Sequence, residues 1–157
     1  MKRISDHFKM IVLFLAIFLI SGTMVAFCGD TVLLVTAEEA AQPATRVILE
    51  ELDDGPVISI ISPENGATLS GPFRLHIEVA KKEGGADVSM DSLKVRYHKA
   101  ITIDITNRVR EYIHDTNLDI PEAEFPDGEH ITEIYIEDAD GNASRKYFQV
   151  KVIATQE

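Results

Sequence analysis

The chain has 157 residues, of which 45% are apolar, enough for one packed domain plus a leader or tail, and this excludes wholesale disorder. A formal net charge of −11 disfavours phosphate backbones and anionic headgroups as partners. The single cysteine, Cys28, excludes an internal disulfide framework.

The first 37 residues read as a secretory leader. Lys2, Arg3 and Lys9 give a basic start, Met10 to Ile20 is unbroken apolar sequence, and the small or polar Ser21, Gly22 and Thr23 follow. Val35-Thr36-Ala37 offers short side chains at a cleavage site, so residues 1–37 are expected to be a signal peptide or membrane anchor. Two alternatives stand beside the cleaved signal. Residues 10–28 approach the roughly 20 apolar residues that span a bilayer, so an uncleaved segment would touch the membrane there. Val25-Ala26-Phe27-Cys28 resembles a lipoprotein box with Cys28 as the acylated residue, although Phe27 stands where that box needs a small side chain. All three put the rest of the chain outside the cytoplasm, periplasmic or extracellular. Residues 38–55, acidic and alanine-rich with Pro43 and a closing Asp53-Asp54-Gly55, read as a linker.

From Pro56 the apolar period becomes two, and residues 56–154 are expected to form the domain. Ile58 and Ile60 mark a first strand over 56–62, ended by the turn residues of Pro63-Glu64-Asn65-Gly66. Phe73, Leu75, Ile77 and Val79 point one way over 73–80, with Arg74, His76 and Glu78 pointing the other. A polar loop covers 81–90. Leu93, Val95 and Tyr97 then alternate with Lys94, Arg96 and His98, and Ile101, Ile103 and Ile105 continue over 100–106. Val109, Tyr112 and Ile113 switch to helical spacing, with Thr106 or Asn107 as a cap, so a short helical insert is expected over 106–115. Leu118 and Ile120 precede Pro121, which suits an edge strand. The strands at 130–138 and 146–153, carrying Ile134, Ile136, Phe148, Val150 and Val152, close the chain. About seven short strands without room for helical crossovers predict an all-β antiparallel sandwich.

Two stretches, "PVISIISPENGATLSGPFRLHIEV" (56–79) and "PDGEHITEIYIEDADGNASRKYFQVKV" (126–152), resemble the bacterial immunoglobulin-like and fibronectin-III-like domains of exported proteins. The resemblance implies an Ig-like sandwich. It says little about activity, because that fold hosts many unrelated functions.

Candidate sites are few. Asp138, Asp140 and Asn142 alternate around Gly141 and could contribute oxygens to calcium, with Asp53 and Asp54 completing the shell. An EF-hand register fails, since Gly141 falls fourth and Gln149 twelfth from Asp138. Asp-Gly and Gly-Asn pairs between alternating strands favour a plain hairpin turn. His76, His98, His114 and His130 lack metal-ligand spacing, and His130, in phase with Ile134, suits a hydrogen-bonded structural role. No nucleophile elbow, phosphate loop or zincin motif occurs, so no enzyme, cofactor or metal is expected. Lys94, Arg96, Tyr97, His98 and Lys99 form a basic and aromatic cluster on an acidic chain. It is either a partner-binding face or a stripe neutralised by facing acids such as Glu133 and Glu137. The function expected is a non-catalytic interaction or structural module of the cell envelope, its partner another envelope or extracellular protein. The alternative is an accessory module for carbohydrate or calcium using the 81–90 and 107–124 loops. Trp is absent and Tyr sparse, which weakens the carbohydrate version.

Overall fold

The computed structural model describes residues 31–44 and 48–154. The apolar run, the anchor segment 10–28 and Cys28 lie outside the described residues. Among the described residues no helix is long and apolar enough to cross a membrane.

Two sheets face each other. One has the order β1 (Val32–Leu33), β9 (Asn117–Glu124), β5 (Phe73–Ala80), β3 (Val57–Ser62), with β8 (Ile113–His114) also on β9. The other runs β2 (Leu52–Asp53), β11 (Ala143–Val152), β10 (Gly128–Asp138), β6 (Val88–His98), β7 (Thr102–Asp104), with β4 (Ala67–Leu69) also on β11. The molecule is thus a mostly-β sandwich, and each of the seven strands expected from alternation is present. The main pairings are antiparallel, with Ile134 opposite Val95 on one side and Lys146 on the other. The parallel contacts are the short ladders β1–β9 and β4–β11.

Period-two patterning builds the core, because every second side chain enters the space between the sheets. Leu75, Ile77, Leu118 and Ile120 come from one sheet; Val95, Tyr97, Ile134, Ile136 and Phe148 come from the other, all at most 3% exposed. Phe73 is partly buried and stacks on Phe125 with centroids 5.8 Å apart.

Several local expectations need correcting. Ile101 is 65% exposed, since the alternation of 100–106 breaks at a turn and β7 begins at Thr102. The helical insert is α2 (Thr106–Val109) followed by a 3-10 turn, Arg110–Tyr112. Thr106 does not cap it. Its hydroxyl accepts from Val95 N at 2.9 Å and ties the insert to β6, while its own N–H donates to Asp104 Oδ1. Pro121 lies in β9, between β1 and β5, and not in an edge strand. It is accommodated by a register shift of the β5–β9 ladder between the pairs Phe73–Ala123 and Leu75–Ile120. The loops assigned to 81–90 and 107–124 are shorter, because β6 starts at Val88 and β9 at Asn117.

The largest difference lies upstream of Pro56. Val32 and Leu33 pair with Ala123 and Glu124, and Leu34 and Val35 are fully buried in the core. Thr36 then caps α1 (Ala37–Ala40) in a reciprocal capping box with Glu39. Further on, Leu52 and Asp53 pair with β11. Gly55 sits so close to Asn142 that a Cβ there would meet its carbonyl oxygen at 2.2 Å, so no side chain fits without backbone movement. The stretch read as leader end and linker is, over these residues, built into the sandwich. Its apolar residues merge in sequence with the run before them, and that hides the strand.

Candidate functional site

The basic cluster lies on and beside β6, and strand alternation divides it. Lys94, Arg96 and His98 face outward from the six-stranded sheet, whereas Tyr97 points into the core with no exposure. The five residues therefore do not form one face. The reason is the period of the strand itself.

Glu133 organises what stands outside. It lies on β10 opposite Arg96 and Tyr147, and it is 4% exposed. Its Oε1 accepts from Arg96 Nη1 at 2.7 Å, and its Oε2 accepts from His98 Nε2 at 2.8 Å. Arg145 Nε stands 3.5 Å from Oε1. Arg96 and Arg145 also lie against the Tyr135 ring, with guanidinium carbons 5.4 and 5.8 Å from its centroid. His98 Nδ1 pairs with Thr102 Oγ1 at 3.1 Å. The neutralisation expected from Glu133 is thus in place. Glu137 instead accepts from the Tyr135 hydroxyl at 2.5 Å. Lys99 donates to the Glu129 carbonyl at 2.9 Å. A cleft of about 350 Å³ adjoins this patch, lined among others by Thr68, His98, Lys99, Glu129, Gln149 and Lys151.

His130 sits on the inner side of the same strand, 1% exposed. Its Nε2–H donates to the Pro126 carbonyl at 2.6 Å, so Nδ1 accepts from the Tyr97 hydroxyl at 3.0 Å. Phe125 stacks on the imidazole at 4.5 Å with the planes 7° apart. Burial lowers the His130 pKa below the ordinary 6.5, and burial pushes the Tyr97 hydroxyl up to about 12. The structural role expected of His130 is what these contacts describe. His76 and His114 belong to the other sheet, so the four histidines do not converge.

At the last turn, Asp138 is turned inward upon its own loop. Its carboxylate accepts from the N–H of Asp140 at 3.0 Å, the N–H of Asn142 at 2.9 Å and the Asn142 side-chain amide at 2.9 Å. These contacts, the Asn142 amide first, hold its pKa below the carboxylate norm. Gly141 takes φ 84°. The Asp138 oxygens proposed for calcium are therefore closing a turn, and among the described residues no group of three or more His, Cys, Asp or Glu is placed to hold a metal ion. Two results should follow. Calcium followed by chelator leaves the melting temperature unchanged, where a bound ion would raise and then lower it. Asn142→Ala lowers it by a few degrees in either buffer, as read by thermal denaturation.

Sequence reading missed the ion pair that joins α2 to α1. Arg108, on α2, donates to both Glu39 oxygens at 2.6 and 2.7 Å and to the Leu34 carbonyl at 2.8 Å. The Arg108 contact takes the Glu39 pKa down to about 2. The signal was present: Thr36-x-x-Glu39 spells a capping box.

No protein-family model matches the chain, and no curated protein matches it. Among solved structures it is similar to the endo-β-1,4-mannanase of Thermotoga petrophila, with 16% identity and a TM-score of 0.45 over 70% of this chain and 21% of that one. It is similar to CopC of Methylosinus trichosporium OB3b, with 10% identity and a TM-score of 0.42 over 67% and 98%. It is also similar to dimeric latent PorU of Porphyromonas gingivalis, with 10% identity and a TM-score of 0.44 over 69% and 11%. The chain thus spans about a fifth of the mannanase and a tenth of PorU.

Proposed function

We propose that this is an exported sandwich domain acting without catalysis, as a protein-interaction or structural module of the bacterial cell envelope, and that it engages its partner along β3. The observation that carries the reading is the state of that edge. Among the described residues β3 has one ladder partner, β5. Val57 and Ile61 are 46% and 52% exposed on it, and the strand, Val-Ile-Ser-Ile-Ile-Ser, holds no charge or proline. Natural edges are usually blunted by such residues, because unpaired N–H and C=O groups invite another strand. An extended segment of a partner can add there through main-chain hydrogen bonds, with Val57 and Ile61 offering apolar contact. The non-catalytic part of the reading is supported by the engagement of Glu133, His98, His130 and Asp138 in contacts that build the fold. The basic start and apolar run of the leader, followed by an acidic domain, support export.

The test is capture of a partner from envelope extract, then titration of the purified pair. Binding should weaken at least about tenfold in Ile61→Lys, whose charge opposes strand addition, while melting stays unchanged. Equal affinity of the variant would remove β3 as the docking edge. Turnover of peptide or glycan substrates by the purified chain would overturn the non-catalytic reading.

A further inference from the structure

We infer that the leader is removed upstream of β1, so that Val32–Ala40 stays in the mature protein as a working part of the sandwich. The inference rests on the reading that the chain is exported. Its ground is the way the segment is held. Val32 and Leu33 are in ladder with β9, and the Leu34 N–H donates to the Glu124 carbonyl at 2.9 Å. Leu34 and Val35 are both 0% exposed and belong to the same cluster as Ile120 and Phe148. The Leu34 carbonyl is an acceptor for Arg108, whose guanidinium is otherwise held by Glu39.

A cut after Ala37, which the small residues Val35-Thr36-Ala37 suggest, would delete two core side chains and the strand beside β9. It would also remove the hydroxyl that caps α1 and one acceptor of a part-buried arginine. A protein interior close-packed around those groups does not close over their loss. Cleavage needs small residues one and three positions before the cut, after the apolar run. Upstream of Val32, both Ser21-Gly22-Thr23 and Ala26-Phe27-Cys28 offer that spacing, so a cut that spares β1 is open to the chain.

The full chain, expressed with its own leader in a bacterial host, provides the test. The exported form should have an intact mass that places its first residue after the apolar run and before Val32. The exported form of Leu34→Ala should melt lower by roughly 10 °C, because the residue is present in it and buried. An exported form beginning at Glu38, with a melting temperature indifferent to Leu34→Ala, would overturn this inference and leave export standing. A start within Val32–Ala40, or a full-length chain held in the membrane, would likewise overturn it. A full-length mass confined to the cytoplasm would instead overturn the export reading on which the inference rests.

Discussion

Glu133→Ala is expected to destabilise the domain by about 3 kcal/mol, roughly 10 °C in melting temperature, with two-state unfolding retained. The size follows from what the carboxylate leaves behind. Glu133 and His98 are 5% and 9% exposed in their side chains, and Arg96 and Arg145 about a third or less. Removing the one anion they share leaves two guanidinium groups and an imidazole pressed together on a surface with little water. Breaking a buried pair from one side costs far more than the pair contributes when whole. Glu133→Gln should recover little, because its amide NH₂ would point donors at donors. Salt separates this site from a surface pair. At about 1 M salt the Glu133 loss should persist, while any loss from Asp119→Ala, whose partner Arg74 is 57% exposed, should fade. Denaturant titration of Glu133→Ala, Arg96→Ala and the double variant completes the measurement. The double variant should fall short of the sum of the singles by about 1 kcal/mol or more. Strict additivity would mean that Glu133 stabilises by packing alone.

This expectation depends on a site that the sequence shows in outline only. Alternation placed Lys94, Arg96 and His98 on one side of β6 and suggested acids opposite them, because strand period is a local property. It could not say that Glu133, rather than Glu137, would sit between Arg96 and Arg145. That choice is set by cross-strand register, and the β6–β10 ladder shifts between Tyr135 and Glu137. At that point Ser92 Oγ accepts the Glu137 N–H at 2.8 Å, a contact no pattern of apolar residues encodes. The same distinction explains β1. Leu34 and Val35 are apolar and continue a longer apolar stretch, so composition assigns them to the leader. Their place is fixed by pairing with Ala123 and Glu124, some ninety residues away. What is local, such as the Asp138 turn or the inward phase of Phe148, could be read. What depends on which strands meet, and in which register, could not.

His130 gives the second large effect, and its dependence on pH gives it a signature. His130→Ala should destabilise by about 3 kcal/mol: it empties the space beside the Phe125 ring and leaves the Tyr97 hydroxyl and the Pro126 carbonyl without their partner. In the wild type the folded state holds the imidazole neutral, with its pKa below 6.5, chiefly because the ring is buried. The unfolded chain therefore binds its proton at higher pH than the folded one. Stability is then complete above about pH 6.5 and declines as pH falls from there through the lowered folded value. Tyr97, pushed up to about 12, stays neutral throughout this range and adds no slope of its own. The carboxylates act lower down. Glu39 is shifted from 4.5 to about 2 by Arg108, and its stabilisation is lost only as pH falls through that interval. Urea titrations at stepped pH should therefore give two separate declines. His130→Gln, which keeps an amide to face Tyr97 and Pro126, should abolish the upper decline and preserve the lower. If the variant kept both, the imidazole would be protonated in the folded state as readily as in the unfolded chain, and the Tyr97–His130–Pro126 chain of hydrogen bonds would not be holding the ring neutral.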